Sequence, residues 1–361
     1  MSNEKKLHMS LVGDTARQPT WSFVGGWNYS LDQVQEYPAR ARDYLWASQL
    51  GKSQVDIFLT LAGMEVSNPF GKRAKRKFDA GVMWEWIAEM VAKRAGIFIS
   101  SQDYVRYAVP GGLEVSGKLD LRLGGVRNLE QIKSMKDALG IIGLPDRFVD
   151  AMKVVEDRMN FTTELPERII EVKSSSAYMY DAQYKFGIPA ENHALQCLHY
   201  LLATGNDEGA ILYISKDDAR MTEIPIWRDD ELLNAKYKEV VTLAKMYYDK
   251  KEKPPVEPLI TFDWAKGRFS DNWNVKYSGY LTYLYGFETE GDYQDAYKGQ
   301  IASWNRVLGR AVRGERMTDK NIAYIGEIKG TFNNFDDIIT HFRAADVENH
   351  EEGYVIGGGE K

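Results

Sequence analysis

Three charged residues have the types and the spacing needed for metal-assisted hydrolysis of a phosphodiester. Asp120 lies in the segment SGKLDLRL, and Glu171 and Lys173 lie in RIIEVKSSS. Both segments alternate apolar and charged residues, which predicts β-strands over residues 119–123 and 168–172, with Glu171 and Lys173 on one face. Carboxylates on neighbouring strands can bind a hard divalent cation and place an ammonium beside the water that it activates. The same pattern also fits two half-buried strands whose charges only face water.

The segment AENHALQCLHYLLATG, residues 190–205, predicts a helix that could complete such a site. Gln196 and Tyr200 are four residues apart and therefore lie on one helical face, together with His193. A second interpretation makes Tyr200 a core residue beside the leucines of this helix and Gln196 its polar neighbour. Cys197, the one cysteine of the chain, lies in the same helix and is expected to be a small buried apolar residue.

Upstream, the segment KFDAGVMWEWIAEMVAKRAG, residues 77–96, predicts an amphipathic helix. Its apolar stripe is expected to include Val82, Trp86 and Met90. Glu85 and Glu89 lie one turn apart on the same helix, where either could be an ordinary surface glutamate or could face the carboxylates of the strands.

An Asp…Glu-x-Lys pair of strands followed by a Gln-x-x-x-Tyr helix resembles the RecB-like, phage-type exonuclease branch of the PD-(D/E)xK nuclease superfamily. The resemblance implies an α/β fold with a restriction-endonuclease-like core, in which a mixed central sheet is flanked by helices. The catalytic residues that it implies are Asp120, Glu171, Lys173, Gln196 and Tyr200. It further implies Mg²⁺ or Mn²⁺ as cofactor, held by Glu85, Asp120, Glu171 and the carbonyl group of Val172. Glu89 is the alternative to Glu85.

Related nucleases, including the CRISPR-associated ones, hold an iron–sulfur cluster with cysteines that this chain lacks. At the front, Tyr37 precedes Pro38 where a cysteine would stand, and at the back WNVKYSGYLTYL has Val275 and Ser278 in place of the thiols. No iron–sulfur cluster is therefore expected. The two segments are expected to contact each other through Tyr37, Trp273 and their neighbours instead.

The resemblance implies a metal-dependent DNA exonuclease of recombination, repair or phage replication. A structure-dependent endonuclease is the alternative, because the motif governs bond hydrolysis and not the need for a DNA end. Two further hypotheses are a catalytically inactive nucleic-acid-binding module of the same fold and a protein-interaction scaffold. DNA is the expected partner, together with recombination or replication proteins, and the oligomeric state is left open.

Composition fits an intracellular enzyme. The chain has 361 residues, of which 44% are hydrophobic, so it can bury a substantial core. A single cysteine excludes a disulfide scaffold. No apolar run is long enough to span a bilayer, and the N-terminal residues do not resemble a signal peptide, so no membrane association and a cytoplasmic location are expected.

A local basic segment, GKRAKRK, could supply the positive surface that a chain with a net charge of −6 needs to bind DNA. It leads directly into the helix with Glu85. A second interpretation makes it a solvated basic turn without a role in DNA binding. The residues expected to contact DNA phosphates are Lys72, Arg73, Lys75, Arg76 and Lys77.

The order of the segments predicts a helix over about residues 30–50, then a variable loop, the Glu85 helix and the strands with Asp120 and Glu171. Residues 209–216 and 221–227 predict two further strands. The predicted domains are an N-terminal tail (1–20), a nuclease domain (21–290) with a helical insertion at about 127–160, and a helical C-terminal extension with a flexible tail (291–361).

Overall fold

The structure is a computed structural model that describes residues 39–109, 113–142, 164–264 and 266–344, together with Leu31, Asp150 and Lys153. The strands are β1 (Tyr44–Trp46), β2 (Phe98–Val109), β3 (Leu113–Gly125), β4 (Leu165–Ser175), β5 (Glu208–Ser215), β6 (Met221–Trp227), β7 (Ile260–Asp263) and β8 (Arg268–Asp271). The helices are α1 (Gln54–Leu61), α2 (Lys72–Ala95), α3 (Leu129–Ile142), α4 (Ala177–Ala182), α5 (Glu191–Thr204), α6 (Asp230–Lys236), α7 (Leu243–Lys250), α8 (Trp273–Lys276), α9 (Leu281–Tyr285), α10 (Glu290–Val312) and α11 (Asp319–Thr331). A π-helical segment, Tyr237–Thr242, joins α6 to α7.

The central sheet is mixed. Its strand order is β1-β3-β4-β5-β6, and β2 pairs with β3. The β1–β3 and β4–β5 pairs are parallel, whereas β2–β3, β3–β4 and β5–β6 are antiparallel. This arrangement confirms the α/β class and the mixed central sheet flanked by helices, and it is consistent with a restriction-endonuclease-like core. The two strands predicted around Asp120 and Glu171 are present and are longer than expected.

The sheet is buried by helices on both faces, as adjacent residues of β4 show. Ile169 joins the cluster formed with Leu198 and Leu201 of α5. Its neighbour Ile170 points the other way and contacts the cluster that includes Trp84 of α2. Full burial of each such aliphatic side chain contributes about 1.5–3 kcal/mol, so both helices are held against the sheet by apolar contact.

The helix predicted over residues 30–50 is wrong for the part that the structure describes from residue 39 onward. Tyr44–Trp46 forms β1, which pairs in parallel with Glu114–Ser116. A 3-10 turn follows at Ala47–Gln49, and α1 then lies in the stretch expected to be a loop. Leu45 is fully buried, so long-range pairing and burial override the local pattern.

The predicted Glu85 helix is confirmed as α2, but the predicted apolar stripe is only partly buried. Met90 is 4% exposed, whereas Trp86 is 45% exposed. Trp84 and Ala88 contact the sheet in its place. The helix has apolar residues on more than one side, so periodicity alone did not identify the buried one.

The basic run forms the first turns of α2. The chain forms two compact units, and the boundary between them falls within this helix. Residues 70–80 belong to one compact unit, and Ala39–Pro69 belongs with the residues from Gly81 onward to another. In the first unit, the rings of Phe70 and Phe78 meet edge to face at 5.0 Å.

The first part of the predicted helical insertion at about 127–160 forms α3, and most of the remainder lies outside the described residues. The C-terminal extension is helical as expected as far as residue 344, and the predicted flexible tail lies outside the described residues. In the extension, α10, α11 and a helical stretch at 335–344 cover the β7–β8 hairpin through a second apolar cluster. Its buried members include Phe269, Trp304, Leu308 and Ile328. The domain limits at residues 20 and 290 stay predictions. Among the helices of the described residues, none has the length and apolar character that crossing a membrane requires.

Candidate active site

Asp120 and Glu171 lie side by side where the pairing of β3 with β4 ends. Leu121 pairs with Ile170, so the two acidic residues are the next ones along each strand. Asp120 is 9% exposed and Glu171 is 1% exposed. The Asp120 Oδ2 atom accepts a hydrogen bond of 2.7 Å from the backbone N–H of Val172. Two buried carboxyl groups in this position stay ionised only with a cation nearby, because burying an unpaired charge is costly.

Lys173 supplies positive charge at this position. Its Nζ donates a hydrogen bond to Glu171 Oε1 within an ion pair. Burial opposes the charged form of the lysine, but Glu171, Asp120 and Glu85 outweigh it and raise the pKa of Lys173. Lys173 is therefore an ammonium at neutral pH and cannot serve as a general base in this state.

Glu85, rather than Glu89, belongs to this group of charges. Burial raises the pKa of Glu85, and the negative charge of Asp120 raises it further, while Lys173 opposes both effects. Glu89 is turned toward other partners, since it accepts hydrogen bonds from Lys93 and Ser101. These bonds overcome burial and lower the pKa of Glu89.

Burial and mutual repulsion disfavour the ionised forms of Asp120 and Glu171. Burial raises the pKa of Asp120, and this increase is opposed by Lys173 and by hydrogen bonds from the Val172 N–H and the Gln102 side chain. Burial likewise raises the pKa of Glu171, and the charge of Asp120 adds to the effect. One lysine thus faces three carboxyl groups, an arrangement that favours a further cation.

The predicted Gln-Tyr helix is α5, and its two residues contact each other. Gln196 Nε2 donates a hydrogen bond of 2.9 Å to Tyr200 Oη, which donates one of 2.9 Å to the carbonyl oxygen of Lys118 on β3. Gly117 makes room for this ring, since a Cβ there would lie 2.7 Å from Tyr200 Cε1. Gln196 is 8% exposed and Tyr200 1% exposed. Tyr200 therefore ties α5 to the strand with Asp120.

Two other residues of α5 stay uncharged beside the acidic group. His193 Nδ1 lies 2.9 Å from Tyr213 Oη, and burial, with a smaller contribution from Lys173, lowers the pKa of His193 to about 3. Cys197 is fully buried, as expected, and burial raises the pKa of its thiol, with a further increase from Glu171. Neither residue adds charge to the site.

The donor set suits a hard divalent cation. Glu171 Oε2 is buried and has no hydrogen-bond partner within the described ranges, and the nearby groups offer oxygen atoms. No group of three or more His, Cys, Asp or Glu side chains among the described residues is close enough to hold a metal ion. Mg²⁺ does not require such a group, because it usually binds through one or two carboxylates and completes its shell with water and phosphate.

A second buried polar cluster joins α1 to the segment with Trp273 and Ser278. Ser278 Oγ donates a hydrogen bond of 2.7 Å to Asp56 Oδ1 of α1, and both side chains are buried. Trp273 is 60% exposed and its ring lies 4.2 Å from that of Tyr277. Tyr37 lies outside the described residues, so its expected contact with Trp273 stays a prediction.

Asn68 fastens the same C-terminal segment. Its Nδ2 donates hydrogen bonds to Thr282 Oγ1 (2.9 Å) and to the carbonyl oxygen of Glu288 (2.8 Å). Its Oδ1 accepts one of 2.7 Å from the backbone N–H of Thr282. We call this contact between α1, Asn68 and residues 277–288 the α1 junction.

Sequence reasoning missed strand β2 and the side chains that it contributes. Gln102 donates a hydrogen bond to Asp120, and Ser101 donates one to Glu89. The β-branched and aromatic residues Val105, Tyr107 and Val109 recur at every second position, which is a signal for a strand that could have been used. The contact of Gln102 with Asp120 has no signal in the local sequence, because it depends on the pairing of β2 with β3.

No protein-family model matches this sequence, and no curated protein sequence is significantly similar to it. Among solved structures, the alkaline exonuclease LHK-Exo from Laribacter hongkongensis is 12% identical with a TM-score of 0.35, over 58% of this chain and 91% of that one. LHK-Exo in complex with dAMP gives 13% identity, a TM-score of 0.35, and coverage of 58% and 89%. The crystal structure of SSO0001 is 13% identical with a TM-score of 0.34, over 62% of this chain and 87% of that one. At similarities this low, the function has to be inferred from the site itself.

Proposed function

We propose that this chain is a metal-dependent DNA nuclease that hydrolyses phosphodiester bonds, and that it acts as an exonuclease. The observation that carries the proposal is the buried Glu171 carboxylate. One of its oxygen atoms pairs with Lys173, and the other has no hydrogen-bond partner within the described ranges. A protein rarely leaves a buried carboxylate oxygen without a partner unless the oxygen has a ligand to bind.

Asp120 and Glu171 are the side chains that would hold Mg²⁺ or Mn²⁺ directly, together with the carbonyl group of Val172, and Glu85 would reach the cation through water. Such a cation would supply positive charge against the phosphate oxygens and would make water more acidic. The raised pKa values of the three carboxyl groups support this assignment, since burial, which is the largest cause, disfavours their charged forms unless a cation lies nearby.

Lys173 would orient the attacking water and stabilise the negative charge that develops at the reacting phosphate. Its raised pKa keeps it protonated, so its contribution is electrostatic. The backbone N–H of Val172 holds the Asp120 carboxylate in place, which fixes the direction of the remaining lone pairs.

Gln196 would position the scissile phosphate or the attacking water, and Tyr200 would hold Gln196 in place. The proposal rests on the chain of hydrogen bonds from Gln196 through Tyr200 to the carbonyl oxygen of Lys118. Because the Tyr200 hydroxyl already donates to a backbone carbonyl, its role is to support Gln196 and β3. The basic run Lys72, Arg73, Lys75, Arg76 and Lys77 is proposed to bind DNA phosphates.

The test is cleavage of DNA that is labelled at one end, compared with covalently closed circles, each in single- and double-stranded form with Mg²⁺ or Mn²⁺. Loss of linear DNA with circles spared is expected for an exonuclease. Nicked circles would mean an endonuclease. Inactivity on every substrate would refute the proposal and favour a binding module.

Lys173→Ala is the decisive variant and Lys266→Ala its matched control. Lys266 is 60% exposed and pairs with Asp263 on the C-terminal hairpin. The cleavage rate should fall by about 10²- to 10³-fold in Lys173→Ala and be unchanged in Lys266→Ala. Equal cleavage by wild type and Lys173→Ala would overturn the proposed mechanism.

A further inference from the structure

Gln102 has a backbone conformation that is unusual for its residue type. Its φ angle is +56°, in the left-handed region, although it is not a glycine and lies within strand β2. A side chain in this region costs about 1–2 kcal/mol. Such a conformation persists only where the surroundings impose it, and it is common at functional sites.

The distortion is centred on Asp120. Ser101 pairs with Leu121 and Asp103 pairs with Leu119, so Gln102 lies across from Asp120 between these two pairs. Residues two apart in a regular strand share a face. Leu119 and Leu121 instead join different apolar clusters, on the α5 and α2 sides of the sheet. Both strands therefore depart from regular geometry at the Gln102–Asp120 position.

The neighbours of Gln102 hold this conformation in place. Ser100 Oγ donates a hydrogen bond to Asp103 Oδ2, which bridges the distorted residue within β2. Ser101 donates to Glu89 and so ties the strand to α2. Gln102 itself is exposed, so burial of its side chain does not explain the conformation. In this conformation Gln102 lies opposite Asp120 on the paired strand, and a hydrogen bond from its side chain opposes the rise that burial causes in the pKa of that carboxyl.

We propose that Gln102 is a positioning residue for a divalent cation at Asp120. Its amide and the backbone N–H of Val172 are two donors on one carboxylate, which together fix its rotation and leave defined lone pairs for the cation. Groups that orient a metal ligand in this way typically change metal affinity or activity 10- to 100-fold when removed. The inference rests on the metal site of the proposed function and adds a residue to it.

Gln102→Gly is the test variant, because glycine accepts the positive φ and removes only the amide side chain. Lys251→Gly is the matched control, since Lys251 has a φ of +57° at the end of α7, on a surface turn. The measurement is the Mn²⁺ dissociation constant, from the rise in melting temperature with Mn²⁺ concentration and from direct titration. Asp120→Asn serves as the reference for loss of the site.

We expect Mn²⁺ binding to weaken about 10-fold in Gln102→Gly, to be unchanged in Lys251→Gly, and to be lost in Asp120→Asn. Without metal, both glycine variants should melt at or above the wild-type temperature, because the backbone cost is removed. A merely structural Gln102 would lower the melting temperature without metal and leave Mn²⁺ affinity unchanged.

The outcomes separate this inference from the proposed function. Wild-type Mn²⁺ affinity in Gln102→Gly, with binding lost in Asp120→Asn, would overturn the role of Gln102 and leave the nuclease proposal intact. Weakened binding in Gln102→Gly without DNA cleavage by the wild type would support Gln102 and refute the nuclease. Unchanged Mn²⁺ binding in Asp120→Asn would overturn both.

Discussion

The acidic site and the α1 junction both bury polar groups, but they satisfy them differently. At the junction, Asp56 accepts from Ser278, and Asn68 uses both its amide and its carbonyl atoms. At the acidic site, one lysine faces three carboxyl groups, and Glu171 Oε2 has no hydrogen-bond partner among the described residues.

This difference separates a structural polar cluster from a binding one. Polar groups that only hold a fold find partners within the protein, because each unpaired buried group costs about 1–3 kcal/mol. Groups that await a ligand retain unused hydrogen-bonding capacity. The following changes should therefore affect activity at the first region and stability at the second.

The largest effect is expected from Lys173→Ala. Removing a charge that stabilises the transition state should lower the cleavage rate by about 10²- to 10³-fold. The fold should survive, because the raised pKa of Glu171 lets this carboxyl take up a proton when its partner is lost. Single-turnover cleavage, DNA binding and melting temperature should be measured together. If Lys173→Ala lost activity only because it unfolded, the acidic site would not differ from the α1 junction in affecting activity rather than stability.

Gly117→Ala should destabilise the link between α5 and the Asp120 strand. A Cβ at Gly117 would lie 2.8 Å from Tyr200 Oη, and overpacking of this kind costs about 1–3 kcal/mol in the free energy of unfolding. Gly299→Ala is the control, since a Cβ there meets nothing within 4 Å. Denaturant unfolding should show a loss for the first variant and no loss for the second. Equal stability of Gly117→Ala and wild type would contradict the packing described.

Asn68→Ala tests the junction. Losing its hydrogen bonds to Thr282 and Glu288 should lower the free energy of unfolding by about 1–2 kcal/mol, without a change in Mn²⁺ affinity. The exposed Asn234 of α6 offers a control, and Asn234→Ala should leave stability nearly unchanged. Weaker Mn²⁺ binding in Asn68→Ala would show that the two regions are coupled.

The smallest effect is expected from Asp56→Asn and depends on pH. Burial raises the pKa of Asp56, with opposing hydrogen bonds from Ser278 and others. The ionised carboxyl is therefore less favourable in the folded state, so the wild type loses stability as pH rises from the ordinary aspartate pKa of about 4 through the raised value. Asparagine does not titrate and can still accept from Ser278. Asp56→Asn should match the wild type below about pH 4 and melt at a higher temperature at pH 7. The opposite order at pH 7 would show that the ionised carboxylate stabilises the junction.

The grouping of the candidate site residues could be predicted because its signals are local. Glu171 and Lys173 are two residues apart on one strand, and Gln196 and Tyr200 are one helical turn apart. Strand and helix periodicity place such pairs together without knowledge of the whole fold. The pairing of Asp120 with Val172 then follows from the two strands being neighbours.

What could not be predicted depends on contacts between distant segments. Tyr200 bonds to a carbonyl 82 residues away, and Ser278 to a carboxylate 222 residues away. Strand β1 has only three residues, which is too short for periodicity to show. The left-handed Gln102 depends on the alignment of β2 with β3, and glutamine is not a residue type that signals a positive φ.

The burial of Cys197 makes this chain a convenient host for site-specific labelling. It is the one cysteine in the sequence, and it is fully buried with a raised thiol pKa, so maleimide reagents should not modify it in the folded protein. A cysteine introduced at the exposed Lys266 would then be the single reactive thiol. A fluorophore attached there would label one defined position, in a protein whose native thiol needs no replacement.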